Sequence, residues 1–379
     1  MKHLSILGST GSVGQNVLNV VRHLGSDKFK IVALAAHSNI DLLYEQALEF
    51  KPEIIGVYNE EKALELSKKL PNIQIVTRME GIQEVATYSS ANLVVNSIVG
   101  NFGLKPMLSA IEAKKDIALA NKEVLVSAGE LLMSACKKNN CKLIPIDSEH
   151  SAIYQCIEGK KVEDVQRLIL TASGGPFLHH SKSDLEKANL SDALNHPTWN
   201  MGAKITIDSS TLMNKGFEVI EAHWLFGVPL EKIDVIIHPQ SIIHSMVEFV
   251  DNTLLAQLGY PEMTTPIQYA LSHPEKFPGL LSPFDFTKHN QLQFFAPDFD
   301  KFVCLRLAYE AQKLGKSYPC YLNAANETLV ERFLNKKISW IDISKKLETL
   351  MEKHHKRHVN SIEEILDVDS QARVEANQI

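Results

Sequence analysis

Cysteine is scarce in this chain. There are five in 379 residues (Cys136, Cys141, Cys156, Cys304 and Cys320), an odd number with no Cys-x-x-Cys pair. A disulfide scaffold is excluded, since a chain of this length does not need staples, and a reducing cytoplasm is the expected compartment. Long apolar runs are missing as well: none approaches the ~18 residues of a membrane span, and Met1-Lys2-His3 leads directly into a strand-like segment with no apolar leader. Neither membrane insertion nor export is expected. Concentrated positive charge is absent, with 39 Lys and Arg against 45 Asp and Glu, a net −6, and no basic stripe. Nucleic acid is therefore not the expected ligand, because neutralising a phosphate backbone requires clustered cations. Glycine (18) and proline (15) are too few for a disordered or fibrous chain.

What is present is a globular composition, 45% hydrophobic and 22% charged, with length for two or three domains at roughly 150 residues each. Leu4–Leu7 reads as a strand, Asn16–Arg22 as a helix and Ile31–Ala35 as a second strand, a βαβ unit. Further strands are expected at Ile54–Val57, Ile73–Val76, Leu93–Val95, Ile117–Leu119 and Leu143–Ile146, with helical segments between several of them. This alternation predicts an α/β fold with a parallel, doubly wound sheet. From about Val165 the pattern changes to β-like runs (Leu168–Leu170, Val235–Ile237, Ser245–Phe249) with one clear helix after Asn214, an α+β arrangement. An irregular connector rich in Pro, Phe and His follows from His273 to Asp300, and helical periodicity from Cys304 to Glu375 predicts a closing helical bundle.

Gly8-Ser9-Thr10-Gly11-Ser12-Val13-Gly14 lies between the first strand and the first helix. A pyrophosphate can approach bare backbone there and meet the helix N-terminal N–H groups, so dinucleotide binding is expected, against the plainer reading of an ordinary glycine turn. The second strand ends in Ala36-His37-Ser38-Asn39 with no carboxylate to hold a ribose 2′-hydroxyl. NADPH is therefore favoured over NADH.

Asp147-Ser148-Glu149 follows the strand ending at Ile146. If the backbone stays extended, both carboxylates face one side and could share an ion; two surface acids are the alternative. In Asp208–Glu218 a helix beginning near Ser210 or Thr211 would place Met213, Phe217, Ile220 and Trp224 on its apolar face and Asn214, Lys215 and Glu218 on another. Oxygen ligands favour a hard divalent ion, Mg²⁺ or Mn²⁺, with Co²⁺ as a further candidate. The loops Ala172-Ser173-Gly174-Gly175-Pro176 and His196–Gly202 have the composition of an anion cradle and of a closing loop. His150, His238 and His244 are candidates for either an acid/base or a structural role.

Together these segments, with Asn121-Lys122-Glu123, Ile237–Ser245 and Leu322–Glu327, resemble the 1-deoxy-D-xylulose 5-phosphate reductoisomerase family, in order over nearly the whole chain. The resemblance implies an N-terminal Rossmann-like domain (1–147), a central α+β catalytic domain that also forms a homodimer interface (148–272), a connector (273–299) and a C-terminal helical domain (300–379). It implies a cytoplasmic NADPH- and metal-dependent enzyme that acts on a small sugar phosphate. By position, Thr10, Gly11, Ser12, Val13, Asn39, Asn121, Glu123 and Gly202 would contact NADPH, and Asp147, Glu149 and Glu218 would ligate the metal. Lys122, Ser148, Glu149, Ser173, His196, Ser209, Asn214, Lys215 and Glu218 would hold substrate, Lys122, Glu149, His196 and Glu218 being catalytic. The departure is Ala36-His37-Ser38, where the family carries glycine and often a basic residue. Two other readings are a simple NADP-dependent hydroxy-acid dehydrogenase and a dinucleotide-sensing regulator. The first leaves the three dispersed carboxylates unexplained and would be insensitive to EDTA; the second predicts a partner-binding or basic surface, which the sequence does not show, and NADPH binding without substrate-dependent oxidation.

Overall fold

A computed structural model describes residues 1–199 and 201–379. In the first third, strand and helix alternate: β1 (Lys2–Leu7), α1 (Ser12–Leu24), β2 (Phe29–Ala36), α2 (Ile40–Phe50), β3 (Ile54–Val57), α3 (Glu60–Lys69), β4 (Gln74–Thr77), α4 (Arg78–Thr87), β5 (Leu93–Asn96), α5 (Leu104–Glu112), β6 (Asp116–Leu119), α6 (Glu123–Asn139), β7 (Leu143–Pro145) and α7 (Ser148–Ile157). The seven strands form one sheet in the order β4-β3-β2-β1-β5-β6-β7, and every pair is parallel. The expected strands are all found, with ends differing by one or two residues. They are nearly continuous apolar runs because helices cover both faces of such a sheet.

The next elements are β8 (Val165–Ala172), α8 (Lys182–Leu185), α9 (Leu190–Leu194), α10 (Ala203–Ser210), α11 (Met213–Phe226), β9 (Ile233–Ile237), β10 (Ile243–Phe249), β11 (Leu254–Leu258) and α12 (Thr264–Ser272). A second, mixed sheet runs β11-β10-β8-β9, with β8 and β9 parallel and the other pairs antiparallel. Strand β11 was not anticipated; its residues, Leu254-Leu255-Ala256-Gln257-Leu258, are mostly apolar but only partly buried, because it is the edge strand of this sheet. Four helices close the chain: α13 (Val303–Leu314), α14 (Tyr318–Leu334), α15 (Trp340–Lys353) and α16 (Ile362–Gln378). Helix α14 is buried on nearly every side, as the centre of a bundle must be.

Two compact units are discontinuous in sequence. One comprises 1–124, 132–151 and 263–283, the other 125–131, 152–262 and 284–379. In the first, α12 returns to the parallel sheet: Ile267, Ala270 and Leu271 join a buried cluster with Leu4, Val17 and Val21. The Lys2 ammonium donates to the carbonyls of Leu271 (2.8 Å) and His273 (2.7 Å). In the second, Gly129 lies so close to Trp224 that a Cβ would sit 2.3 Å from the indole.

The turn after β1 depends on an absent side chain. A Cβ on Gly14 would lie 2.3 Å from the Gly8 carbonyl oxygen and 2.6 Å from Ser9 Cα, both backbone atoms that cannot swing aside. Gly14→Ala is expected to cost about 1–3 kcal/mol by overpacking, read as a lowered Tm in thermal unfolding; an unchanged Tm would show that the turn has slack.

Candidate active site

In the first unit, Gly8 (φ +86°) carries the chain out of β1, and Gly11 is the N-cap of α1 without any side chain to accept from that helix's first N–H groups. Thr10, Gly11, Ser12 and Val13 therefore lie where backbone donors and the positive helix end coincide, an arrangement suited to an anion. At the end of β2, Asn39 caps α2 through Oδ1, accepting from Leu42 N–H at 3.4 Å. The His37 ring stacks on Tyr58, 5.2 Å between centroids and 27° between planes, and Phe102 packs edge-on against Tyr58. Asn121 is buried and its amide donates to the carbonyls of Ile98 and Gly100, holding the loop after β5. Glu123 opens α6. Asn96, which sequence reasoning did not single out, shares this work: buried, it donates to Gly103 O (3.2 Å) and accepts from Ile98 N–H (3.4 Å). An Asn at a strand's carboxyl end was the available signal.

The Lys122 ammonium meets Asp147 Oδ2 at 2.5 Å, both side chains nearly buried. Burying either charge alone would cost several kcal/mol, so the pairing is a condition for placing both there. The extended backbone expected through Asp147-Ser148-Glu149 is corrected: Ser148 begins α7, Ser151 N–H donates to Asp147 O (2.8 Å), and Glu149 lies in the first helical turn. Asp147 is followed by a helix because its carbonyl accepts that first i→i+4 bond. The two carboxylates still approach within 4.8 Å, and Ser148 Oγ donates to Glu149 Oε2 (2.7 Å). His150 is buried with Nδ1 3.7 Å from Asp147 Oδ2.

In the second unit, the helix expected to begin near Ser210 or Thr211 begins at Met213, and Asp208–Ser210 belong to a preceding helix instead. Leu212 adopts φ +58° between α10 and α11, so Asp208 and Ser209 end one helix while Asn214 and Lys215 begin the next. Asn214, Lys215 and Glu218 do share a face: Asn214 Nδ2 donates to Glu218 Oε1 (2.6 Å) and the Lys215 ammonium pairs with Glu218 Oε2. Lys215 and Glu218 are buried. The loop after β8 passes through two left-handed glycines, Gly174 (φ +85°) and Gly175 (φ +66°), and a Cβ on Gly175 would lie 2.8 Å from Ser209 O. Ser173, Ser209 and the first turn of α11 thus belong to one neighbourhood, with backbone amides, hydroxyls and an ammonium, the donor set that a phosphate monoester requires.

His196 is half-buried, and its Nδ1 accepts from the backbone N–H groups of Thr198 (3.2 Å) and Trp199 (2.9 Å) while Nε2 lies 3.0 Å from Ser173 Oγ. Burial pulls it down to about 4, so it is a neutral imidazole near pH 7. Gly202 is the N-cap of α10, and Asn200 of the expected closing loop lies outside the described residues. His238 has both ring nitrogens engaged, Nδ1 donating to Gln293 O (2.9 Å) and Nε2 accepting from Ile242 N–H (3.2 Å), which is a structural use of histidine. His244 Nε2 donates to Tyr260 O (3.2 Å).

Three family models match the chain: 1-deoxy-D-xylulose 5-phosphate reductoisomerase over residues 4–129, its C-terminal domain over 143–226, and a DXP reductoisomerase C-terminal domain over 258–375. A 1-deoxy-D-xylulose 5-phosphate reductoisomerase of Protochlamydia amoebophila is 56% identical over 99% of this chain and 98% of its own length, and one of Geotalea daltonii is 51% identical over 100% and 99%. The chain belongs to the 1-deoxy-D-xylulose 5-phosphate reductoisomerase family. Among solved structures, the reductoisomerase of Zymomonas mobilis in complex with NADPH is similar at TM-score 0.94 and 38% identity, covering 100% of this chain and 98% of that one. A DOX-P reductoisomerase in complex with NADPH, fosmidomycin and magnesium is similar at TM-score 0.94 and 40% identity, with the same coverage. The Rossmann-like α/β fold with a second sheet and C-terminal helices is common to this chain and that family.

Residues neighbouring the expected set support it. Asp208, buried, accepts from Asn326 Nδ2 (2.8 Å) and pairs with Lys204 (2.9 Å), immediately before Ser209. This gives Asn326 of the Leu322–Glu327 motif a structural duty. Asp208→Ala leaves a buried amide without its acceptor and should cost on the order of 1–3 kcal/mol, measured as reduced thermal stability; a wild-type Tm would remove Asp208 from the framework around Ser209.

Proposed function

We propose that this protein catalyses the NADPH-dependent rearrangement and reduction of 1-deoxy-D-xylulose 5-phosphate to 2-C-methyl-D-erythritol 4-phosphate, a step of the non-mevalonate isoprenoid pathway. The observation that carries this reading is the full-length likeness to reductoisomerases, at 56% identity over 99% of the chain.

The residues present fit both groups that the family requires. For NADPH, a glycine cradle too tight for a Cβ at Gly14 opens an α1 N-terminus without a side-chain cap, and the end of β2 bears no carboxylate to repel a 2′-phosphate. Thr10, Gly11, Ser12, Val13, Asn39, Asn121, Glu123 and Gly202 are the residues we assign to it; bound there, the dinucleotide supplies hydride to the aldehyde formed by rearrangement. For the metal, Asp147 and Glu149 offer hard oxygen donors within 4.8 Å of each other, and we assign Glu218 as the third ligand, from the matching motif. A divalent cation, Mg²⁺, Mn²⁺ or Co²⁺, supplies Lewis acidity to the substrate's C2 carbonyl and C3 hydroxyl.

The chain's own groups do the rest. Ser173, Ser209, Asn214 and Lys215 capture the phosphate through hydroxyl, amide and ammonium donors, fixing one end of the substrate so that the ketose end is oriented. Lys122 and Ser148 hold the polar sugar end beside Asp147 and Glu149. His196 and Trp199 lie on the loop that excludes water, which lets the intermediate be reduced before it escapes.

As a functional division we assign 1–147 to NADPH, 148–272 to metal and substrate, 273–299 to the connector and 300–379 to the C-terminal helices. A homodimer through the second sheet is supported by the exposed apolar side chains of Leu254, Phe294 and Phe299, which line one surface depression together with Ile169, Ile236 and Met246. A cytoplasmic location is supported by five free cysteines; among the described residues no helix is long and apolar enough to cross a membrane.

Following NADPH absorbance with 1-deoxy-D-xylulose 5-phosphate and Mg²⁺ tests the reading directly: oxidation is expected only when all are present and should stop with EDTA, while EDTA-insensitive oxidation would favour a simple dehydrogenase. Glu218→Gln should abolish turnover with circular dichroism unchanged, and near-normal activity with Mg²⁺ would remove it from the metal site. Lys215→Ala should chiefly raise KM, whereas a loss confined to kcat would contradict a phosphate role.

A further inference from the structure

The hydrogen bonds around Ser173 leave its hydroxyl proton one direction. His196 Nδ1 accepts from two backbone N–H groups, those of Thr198 and Trp199. A nitrogen that accepts carries no proton, so the neutral ring bears its proton on Nε2. That N–H faces Ser173 Oγ at 3.0 Å and donates to it. The same oxygen accepts from Gly175 N–H at 3.2 Å, a bond made possible by the left-handed turn at Gly174 and Gly175. A serine hydroxyl has two lone pairs and one proton. With both lone pairs taken, Ser173 is left a donor only, and chains of hydrogen bonds polarise their members in this sense.

We propose that His196 is a positioning residue: held as the Nε2–H tautomer by its own loop, it turns the Ser173 hydroxyl into a dedicated donor for a phosphate monoester oxygen. The inference rests on the phosphate site proposed above and adds to it the order of action, loop to imidazole to hydroxyl to anion. An unpolarised serine can present either a proton or a lone pair to its surroundings, and a lone pair facing a dianion is repulsive. The relay removes that second orientation. It also couples the closing loop to anion capture, because the two backbone donors that set the tautomer belong to Thr198 and Trp199 themselves. The neutral ring keeps an imidazolium charge out of the site, so discrimination comes from hydrogen-bond direction and the cationic share from Lys215.

The test is a double-mutant cycle on the full chain with inorganic phosphate as the probe, by isothermal titration calorimetry. Ser173→Ala and His196→Ala should each weaken phosphate binding about tenfold, roughly 1.4 kcal/mol, and the double variant no more than either alone. His196→Gln, whose amide N–H reaches toward the Nε2 position, should retain more affinity than the alanine variant. Losses that multiply to about a hundredfold in the double variant would overturn the relay, since His196 would then act on the anion independently. No loss in Ser173→Ala would overturn the phosphate site beneath it. Nitrogen-15 NMR of the wild type reports the tautomer without any substitution: a pyridine-like Nδ1 and a pyrrole-like Nε2 are expected for His196, and the reverse would end the proposal.

Discussion

Charge removed from water has to be opposed nearby, and two lysine–carboxylate pairs meet that demand in the regions assigned to chemistry. Lys122 with Asp147 joins the ends of the loops after β6 and β7, and Lys215 with Glu218 lies within the first turns of α11. Burying one such group alone would cost several kcal/mol, more than most single contacts return. The backbone must therefore deliver both partners of each pair together. Where Lys122 goes, β7 must end just before Asp147; where Lys215 goes, α11 must begin at Met213 so that Glu218 falls one turn later. The same pairs hold the cations and carboxylates that we propose for a sugar phosphate and a divalent ion.

The loops proposed for anions follow a second rule, that backbone can be approached only where side chains stay out of the way. Gly14 is packed against the Gly8 carbonyl and Gly175 against the Ser209 carbonyl, and in each case a methyl group would strike backbone. Glycine makes both turns possible. Leu212 achieves a similar break between α10 and α11 without glycine, at φ +58°, with its side chain buried to compensate for the strained backbone. Asp208, bound by Lys204 and Asn326, anchors the end of α10 just before that break.

Much of this could be read from residue order. The seven parallel strands announce themselves as apolar runs because both faces of their sheet are covered, and the glycine turn is a local chemical statement. Asn214, Lys215 and Glu218 share a face because helical spacing alone puts them there. Less legible were features whose cause lies elsewhere in the chain. The helix expected to start near Ser210 or Thr211 starts at Met213, since nothing in Thr211-Leu212-Met213 forbids helical backbone and the break at buried Leu212 is imposed by packing. Ser148 starts a helix where an extended segment was expected, because the first helical hydrogen bond outweighs the alternation suggested by two acids. Strand β11 depends on its pairing with β10, and the return of α12 to the parallel sheet on Leu4, Val17 and Val21, over 200 residues away in sequence.

Composition, period and glycine placement determined by themselves the α/β class, the dinucleotide turn and the inventory of donors and acids, because each is a property of neighbouring residues. Only the tertiary structure decided which nitrogen of His196 carries the proton, that His238 is committed to Gln293 and Ile242, and that Asn96 and Asn121 brace the loop after β5. Those are matters of direction, and a hydrogen bond's direction exists only once distant segments have been brought within about 3 Å of one another.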